Sequence, residues 1–594
     1  MRTSSRLRTL AIVSVIALTA PLPAAVRYVD ASASGANNGS SWTHAFTDLQ
    51  SALAAAVPGD EIWVAAATYT PAPPGDAVSS FVLREGVALY GGFAGGETAR
   101  NQRDWSAHAT VLSGDVGRDD TFDPQGSWPY NYHINTANSG HVVVGSGVGA
   151  SAVLDGFTIT AGAYGPPGTP AGDPLLYGSG LYVANGSPTV ANCTFVNNLA
   201  AFGPGAAVFL ADSNASITDC VFDQNYIHLG SGGAIYLYGA SQPVISNCAF
   251  RRNVVTGYYG AEGQGGAIEN RSSLPLTIAG CLFEFNEARP FGASSYEIPR
   301  GGGISSFAFE TPLLVRDCIF RSNRAPYGAG LFTWNPTTIV NCTFDHNTAF
   351  VYPGYGGFSV GGDGAGLACQ WTDVTLVNSA VAYNTGQEAA GVFEISDPNF
   401  PLFAGSLAVQ NTIIWGNVAN GQDVSPLDRQ LKGNYSARYS CIQDLLTPVP
   451  GEDPPDPANY PGCIVVDPQF VNSSDLHLAA GSPCIDAGRN SYVPAGTTTD
   501  LDGLPRFYDD PAAPNVGHGT PPLVDMGAYE RQPAPCPGDL DGNGQVDLGD
   551  LSTLLSHFGT GSGATAADGD SDGDGDVDLA DLAALLAAFG TICA

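Results

Sequence analysis

Gly232-Gly233-Ala234-Ile235-Tyr236-Leu237-Tyr238, followed by Asn247-Cys248-Ala249-Phe250-Arg251-Arg252-Asn253, is one unit that the chain writes again and again. The second half recurs as Asn192-Cys193-Thr194-Phe195-Val196-Asn197-Asn198, as Asp219-Cys220…Asn225, as Gly280-Cys281…Asn286, as Asp317-Cys318…Asn323 and as Asn341-Cys342…Asn347. Copies with Ser379 and Thr412 in the cysteine position end at Asn384 and Asn417. Consecutive cysteines stand 27, 28, 33, 37 and 24 residues apart. A glycine turn followed by an apolar residue precedes most copies, at Gly178–Leu181, Gly205–Val208, Gly265–Ile268, Gly301–Ile304, Gly328–Leu331 and Gly364–Leu367. Strands this short do not make a stable hairpin sheet alone. A coil with two or three of them can stack on its own copy, each strand pairing in parallel with its counterpart about 4.8 Å away. The pattern therefore predicts an all-β parallel solenoid. Cys and Phe, two apart, share the inward face, and Asn and Gly are expected at corners that need left-handed backbone.

Two files of residues follow from this stacking. The cysteine file is read either as small core residues, favoured because Ser379 and Thr412 replace them, or as neighbouring thiols within bridging reach. On the strand after the glycine turn, the outward file is Tyr182, Phe209, Tyr236, Glu269, Ser305 and Phe332, and then Phe393. The next outward file holds Tyr238, Arg271, Phe307 and Trp334. Aromatic faces interrupted by Glu269 and Arg271 suit a glycan platform, since rings pack on the apolar faces of sugars.

Composition agrees with a turn-rich β architecture. The 594 residues are 13% charged and include 75 Gly. The net charge of −34 repels nucleic acid and attracts cations. Residues 1–25 read as a secretory signal, with Arg2, Arg6 and Arg8 before the apolar run Leu10–Ala20 and small residues at Ala24-Ala25. That run is too short to span a bilayer, and no transmembrane segment is expected after cleavage. A secreted or cell-surface location follows from that reading.

The repeats over residues 150–420 resemble those of polymorphic outer-membrane proteins and related secreted bacterial β-helix proteins, which implies a right-handed parallel β-helix. The segment with Tyr28-Val29-Asp30, Gly35–Trp42 and Gly59–Val64 resembles their N-terminal regions, with an amphipathic helix over residues 47–56 capping the first coil. Val465–Phe470, Ser482–Gly488 and Asp525–Glu530 resemble the closing region of exported β-helix proteins with interchangeable anchors. The acids there (Asp467, Asp486, Asp500, Asp502, Asp525 and Glu530) are read as turn and cap residues. The organisation expected is a cap and first coils at 26–140, β-helix repeats at 141–420, C-terminal coils and capping at 421–533, and a separate module at 536–594.

That module carries eleven Asp and no Lys, Arg or Glu. Asp539, Asp541, Asn543, Gln545, Asp547 and Asp550 fit positions 1, 3, 5, 7, 9 and 12 of a calcium loop. Asp570, Asp572, Asp574, Asp576, Asp578 and Asp581 repeat the spacing 31 residues later. Position 7 offers its backbone carbonyl, and Gly544 and Gly575 make the turn at position 6. Each loop runs into a predicted helix, Leu548–Phe558 and Leu579–Phe589, and no helix is expected before either loop. The duplication resembles a dockerin type I domain, which implies two Ca2+ sites and a cohesin-like or other surface-protein partner. Loop positions 10 and 11 are Leu548-Gly549 and Leu579-Ala580, where familiar dockerins carry Ser or Thr, so a cellulosome-type partner does not follow. Cys536 and Cys593 bracket the module and suit a disulfide across its ends.

Two functions remain. The first is a non-enzymatic binding, adhesion or structural protein, attached through the calcium module and presenting a glycan-binding face. The alternative is a polysaccharide-degrading enzyme, a lyase or glycoside hydrolase. Such chemistry needs an Arg or Lys base beside calcium-binding acids, or paired carboxylates. Neither pattern is found in the coils, where Asp155, Asp219, Asp223, Asp317 and Asp345 sit at repeat corners, and no catalytic residue is assigned.

Overall fold

The structure, a computed structural model, describes residues 24–591 apart from 123–131, 135–137, 164–172, 258–262, 292–297, 309, 354–358, 396–404, 423, 449–453, 533–537, 542–544, 562 and 573. The expected leader therefore lies outside the described residues except for Ala24 and Ala25. Among the described residues no helix is long and apolar enough to cross a membrane.

The repeat closes into a coil. In the unit quoted first, the strands are Ile235–Gly239, Val244–Ser246, Ala249–Arg251 and Val254–Gly257. Each pairs in parallel with its counterpart one coil on: Ile235 with Ile268, Ile245 with Ile278, Phe250 with Phe283 and Val255 with Ala288. Repetition builds parallel sheets of thirteen, twelve, eleven and eight strands. Stacking runs from Val26–Val29 to Cys441–Ile442. The chain is thus a right-handed parallel β-helix, the hand that parallel crossovers almost always take. Where two or three strands per coil were expected, many coils have a fourth, following the terminal Asn. Its inward residues Ala200, Ile227, Val255, Ala288 and Ala325 form a small core of their own with Ala206 and Ala329.

Three files fill the interior. Phe195, Phe222, Phe250, Phe283, Phe320 and Phe344 are fully buried and stack at 5.0, 4.8, 4.8, 4.7 and 4.5 Å, nearly coplanar. The cysteines Cys193, Cys220, Cys248, Cys281, Cys318 and Cys342 are buried and free, as core residues. Most donate to the carbonyl two residues earlier: Cys248 to Ser246 at 3.2 Å, Cys281 to Ala279 at 3.3 Å and Cys318 to Arg316 at 3.1 Å. Ser379 and Thr412 make the same bond, to Val377 and Gln410, each at 2.8 Å. The position therefore selects a small side chain with one donor.

The third file corrects the sequence reading. The Asn that ends each repeat is not the left-handed corner residue. That conformation falls on the residue before it (Asn197, Gln224, Arg252, Phe285, Ser322, His346 and Tyr383) and on the residue before the cysteine position (Asn192, Asp219, Asn247, Gly280 and their equivalents). The terminal Asn turns inward instead. Asn198, Asn225, Asn253, Asn286, Asn323, Asn347, Asn384 and Asn417 are buried, and each Nδ2 donates to the next Oδ1 at 2.9–3.0 Å. In every member the same amide donates to a backbone carbonyl of the preceding coil, as Asn198 does to Ile159 at 3.0 Å and Asn286 to Phe250 at 2.9 Å. Gln430 ends the ladder, accepting from Asn417 at 2.8 Å and donating back to its carbonyl.

Both ends are covered. Helix α1 (Leu49–Ala55), capped by Asp48, buries Leu49, Ala52 and Leu53 against the first coils. Helix α2 (Pro426–Gln430) carries the ladder-ending glutamine. The closing region then folds back along the outside of the twelve-stranded sheet. There Leu476, Leu478, Cys484, Ile485 and Met526 pack on Ala380, Ala382, Ile413 and Cys441. Fully buried Arg506 pins it by donating to the carbonyls of Asp525, Gly527 and Ala528 at 2.7–3.1 Å. The carboxylates accept backbone N–H groups both nearby and across the segment: Asp525 from Arg531 and from Asp486, 39 residues away, and Asp500 from Leu504 and from Glu530, 30 residues away. Burial pushes the Asp525 carboxyl up to about 7, against the lowering effect of those amides and Arg506.

Candidate functional site

Two places bring functional groups together. The first is the C-terminal module, whose buried core is Val546, Leu554, Val577 and Leu585. Helices α3 (Leu548–His557) and α4 (Leu579–Ala588) begin at Asp547 and Asp578, which accept from Gly549 and Ala580, each at 2.6 Å. The helices end one residue before the expected Phe558 and Phe589, which serve as C-caps ahead of left-handed Gly559 and Gly590. A single 3-10 turn, Ala566–Asp568, precedes the second loop.

Carboxylate oxygens of Asp539, Asp541 and Asp550 lie within 4.8 Å of one another. In the second loop Asp570, Asp572 and Asp574 form one such group, and Asp576, Asp578 and Asp581 another. Buried Asp550 accepts from the amides of Leu540, Asp541 and Asp547 at 2.6–3.0 Å, and Asp581 from Ser571 and Asp578 at 2.7 and 2.8 Å. For Asp550, burial raises the carboxyl, yet these amides outweigh it and hold it below the ordinary range. Partial desolvation, with the charge of Asp574 and its neighbours, pushes Asp572 and Asp576 the other way. The Oδ1 atom of Asp576 is buried with no hydrogen-bond partner. A set of carboxylates on tight loops, crowded against one another and holding an unsatisfied oxygen, fits a hard cation that takes six to eight oxygens. Gln545 sits on an isolated bridge shortly before α3. Asn543, Cys536 and Cys593 fall outside the described residues. Asp115, Asp119 and Asp120 form a further acidic group that the sequence reading did not single out.

The two helices present matching apolar residues to solvent. Leu548 and Leu579 are each 72% exposed, Leu555 and Leu586 each 53%, and Phe558 and Phe589 42% and 43%. Spaced seven and three residues apart, the members of each set share one helix face.

The second place is the aromatic face, and the structure divides the expected platform. Upstream, Tyr182, Phe209 and Tyr236 stack at 5.5 and 5.9 Å, with His141 continuing the pile at 4.7 Å from Tyr182. His141 was not foreseen, because its strand-edge position lies before the recognisable repeats; burial lowers it to about 4. Further along, Glu269, Ser305 and Phe332 continue the same outward file as Tyr236, but they are covered and fully buried, so they are not exposed platform residues. The guanidinium of Arg300, from a neighbouring corner, lies 5.1 Å over the Phe332 ring. Ala368, not Phe393, stacks next on Phe332, and Phe393 follows it. In the second file Tyr238 is 55% exposed, Arg271 lies 4.9 Å over Phe307, and Phe307 meets Trp334 at 3.7 Å.

Tyr177, Phe209, Tyr236, Tyr238 and Arg271, with the corner residues Gly203-Pro204 and Leu229–Ser231, line an open pocket of about 580 Å³. Arg271 Nε donates to Glu269 Oε1 at 2.8 Å, and the Oε2 atom of Glu269 has no hydrogen-bond partner. Burial pushes the Glu269 carboxyl up to about 8, opposed by the Ser305 hydroxyl and the Arg300 charge.

Residues 176–349 match the family model for a right-handed β-helix region. No curated protein matches. Similar solved structures include the pectate lyase Pel9A, at 13% identity over 86% of this chain and 97% of that one with a TM-score of 0.37. A rhamnogalacturonan lyase is 12% identical over 76% and 95%, with a TM-score of 0.33. Fold and matched region define the class, a right-handed parallel β-helix protein.

Proposed function

We propose that this is an exported, non-enzymatic β-helix scaffold, held in place by a calcium-dependent dockerin-like module and binding glycan on its aromatic face. The observation that carries the reading is the duplication at residues 536–594. Two acidic loops each lead into a helix, and the helices expose the same three apolar residues to nearly the same degree. Calcium at Asp539, Asp541, Asn543, Gln545, Asp547 and Asp550, and at Asp570, Asp572, Asp574, Asp576, Asp578 and Asp581, would neutralise the clusters and fix the helix starts. An exposed apolar patch of this kind marks a protein-binding surface. Leu548 and Leu579, in place of hydroxyl residues, call for a cohesin-like or other surface partner with an apolar docking face.

The test is surface plasmon resonance of the full chain against purified cohesin-type domains, with millimolar calcium or with chelator. Because either helix can dock, Leu555→Asp or Leu586→Asp alone should leave retention within about twofold, while the double variant should lose it. In the double variant each docking mode loses its buried leucine contact and would bury a carboxylate instead, which costs more than tenfold in affinity. Retention that survives chelation, or survives the double variant, would defeat the docking reading.

A further inference from the structure

The geometry points to a calcium site formed by Asp115, Asp119 and Asp120 with the amide oxygen of Asn138, in addition to the two loops of the C-terminal module. Strand Thr110–Ser113 of the twelve-stranded sheet ends just before Gly114, and the chain then leaves the stack. Thr121–Phe122 pairs antiparallel with Tyr132–His133. The chain rejoins the coil at Ser139, whose amide donates to the Gly114 carbonyl at 2.9 Å. The three aspartates stand at the start of this excursion and Asn138 at its end, so the site lies at the neck where the two meet.

Carboxylate oxygens of the three half-buried aspartates lie within 4.8 Å of one another. Asp115 has a turn role, accepting from the amides of Asp119 and Asp120, each at 3.2 Å. That role accounts for one carboxylate and does not require the other two beside it. The independent observation is Asn138. It is fully buried, and its Nδ2 donates to Asp120 Oδ2 at 2.7 Å and to the Ala161 carbonyl at 2.8 Å. Its Oδ1 is enclosed with no hydrogen-bond partner. Turning the amide over does not help, because two acceptors would then face an oxygen. Buried amide oxygens are seldom left unsatisfied, and this one shares its carbon with the nitrogen that touches the cluster. A hard cation held by the carboxylates supplies the missing partner. Calcium accepts six to eight oxygens in loose geometry, amide oxygens and water included, whereas magnesium demands a tight octahedron. Bound there, it would tie the two ends of the excursion together.

Calcium calorimetry on the full chain carrying Asp539→Ala and Asp570→Ala isolates the site. One ion should still bind, and adding Asp119→Asn should weaken it at least about tenfold. Trypsin cleavage after Arg118, which is exposed on the same loop, reports local opening when read by mass spectrometry. With calcium at about ten times the dissociation constant, cleavage of the unaltered protein should slow about tenfold. Cleavage of Asp119→Asn should not slow, and that comparison cancels any effect of calcium on the protease. The site falls if cleavage of the unaltered protein ignores calcium. It falls equally if the paired variant, with the parent's sheet signal intact, binds no ion. Both readouts are blind to the module, so its failure to bind calcium would leave this assignment standing.

Discussion

The terminal asparagine of each repeat does more than mark a corner. Asn286 accepts from the backbone and side-chain amides of Asn253, and donates to Phe250 and Asn323. Asn286→Ala would strand a buried backbone N–H and a buried carbonyl, and should destabilise the β-helix by about 2–4 kcal/mol. Cys281→Ser keeps the donor to Ala279 and should cost about 1 kcal/mol or less. Thermal melts of the two variants side by side would check the contrast. A melting temperature that falls further for the serine variant would contradict it. The sequence pattern made these positions conspicuous but led to a left-handed corner for the Asn, a conformation that falls on the residue before it. A recurring Asn reads equally well as a left-handed corner or a buried amide. Only the register of neighbouring coils, which puts one Oδ1 within reach of the next Nδ2, decides between them.

At the scale of elements, the closing region shows how position outweighs pattern. Its acids suggested turns, and some do bind nearby amides, but others tie together stretches of chain 30 or more residues apart, and the segment lies along the outer face of the twelve-stranded sheet, which no local pattern announces. Asp525 is the sensitive point. Its carboxyl is raised from 3.8 to about 7, so the protonated form stabilises the folded state. That contribution is complete below about pH 4 and is lost as pH rises through about 7. The closing region should therefore melt at progressively lower temperature between about pH 5 and 8, and Asp525→Asn should flatten the slope. A variant as steep as the parent would place the proton elsewhere. The helices of the C-terminal module were legible to within a residue, because Asp at the cap and Gly at the end are local signals. Burial of Glu269 and Phe332 was not, since it depends on corners such as Arg300 contributed by other turns of the coil.

For the whole molecule, the division of labour is between a long stacked cylinder and a short acidic end. The cylinder's stability is spread over repeated nearest-neighbour contacts, and its ladder, phenylalanine stack and thiol file need no ion. The last 59 residues hold eleven Asp with no Lys, Arg or Glu, so their compactness is opposed by self-repulsion until cations enter. Without calcium, added monovalent salt should raise the helicity of this end by screening, while the β-sheet signal stays constant; circular dichroism reads both. The most direct measurement is calcium titration calorimetry of the full chain. Two ions should bind at the acidic end, one lost with Asp539→Ala, one with Asp570→Ala and both with the pair, while the sheet signal is unchanged. Heats of binding that are absent, or indifferent to the paired substitution, would contradict the account.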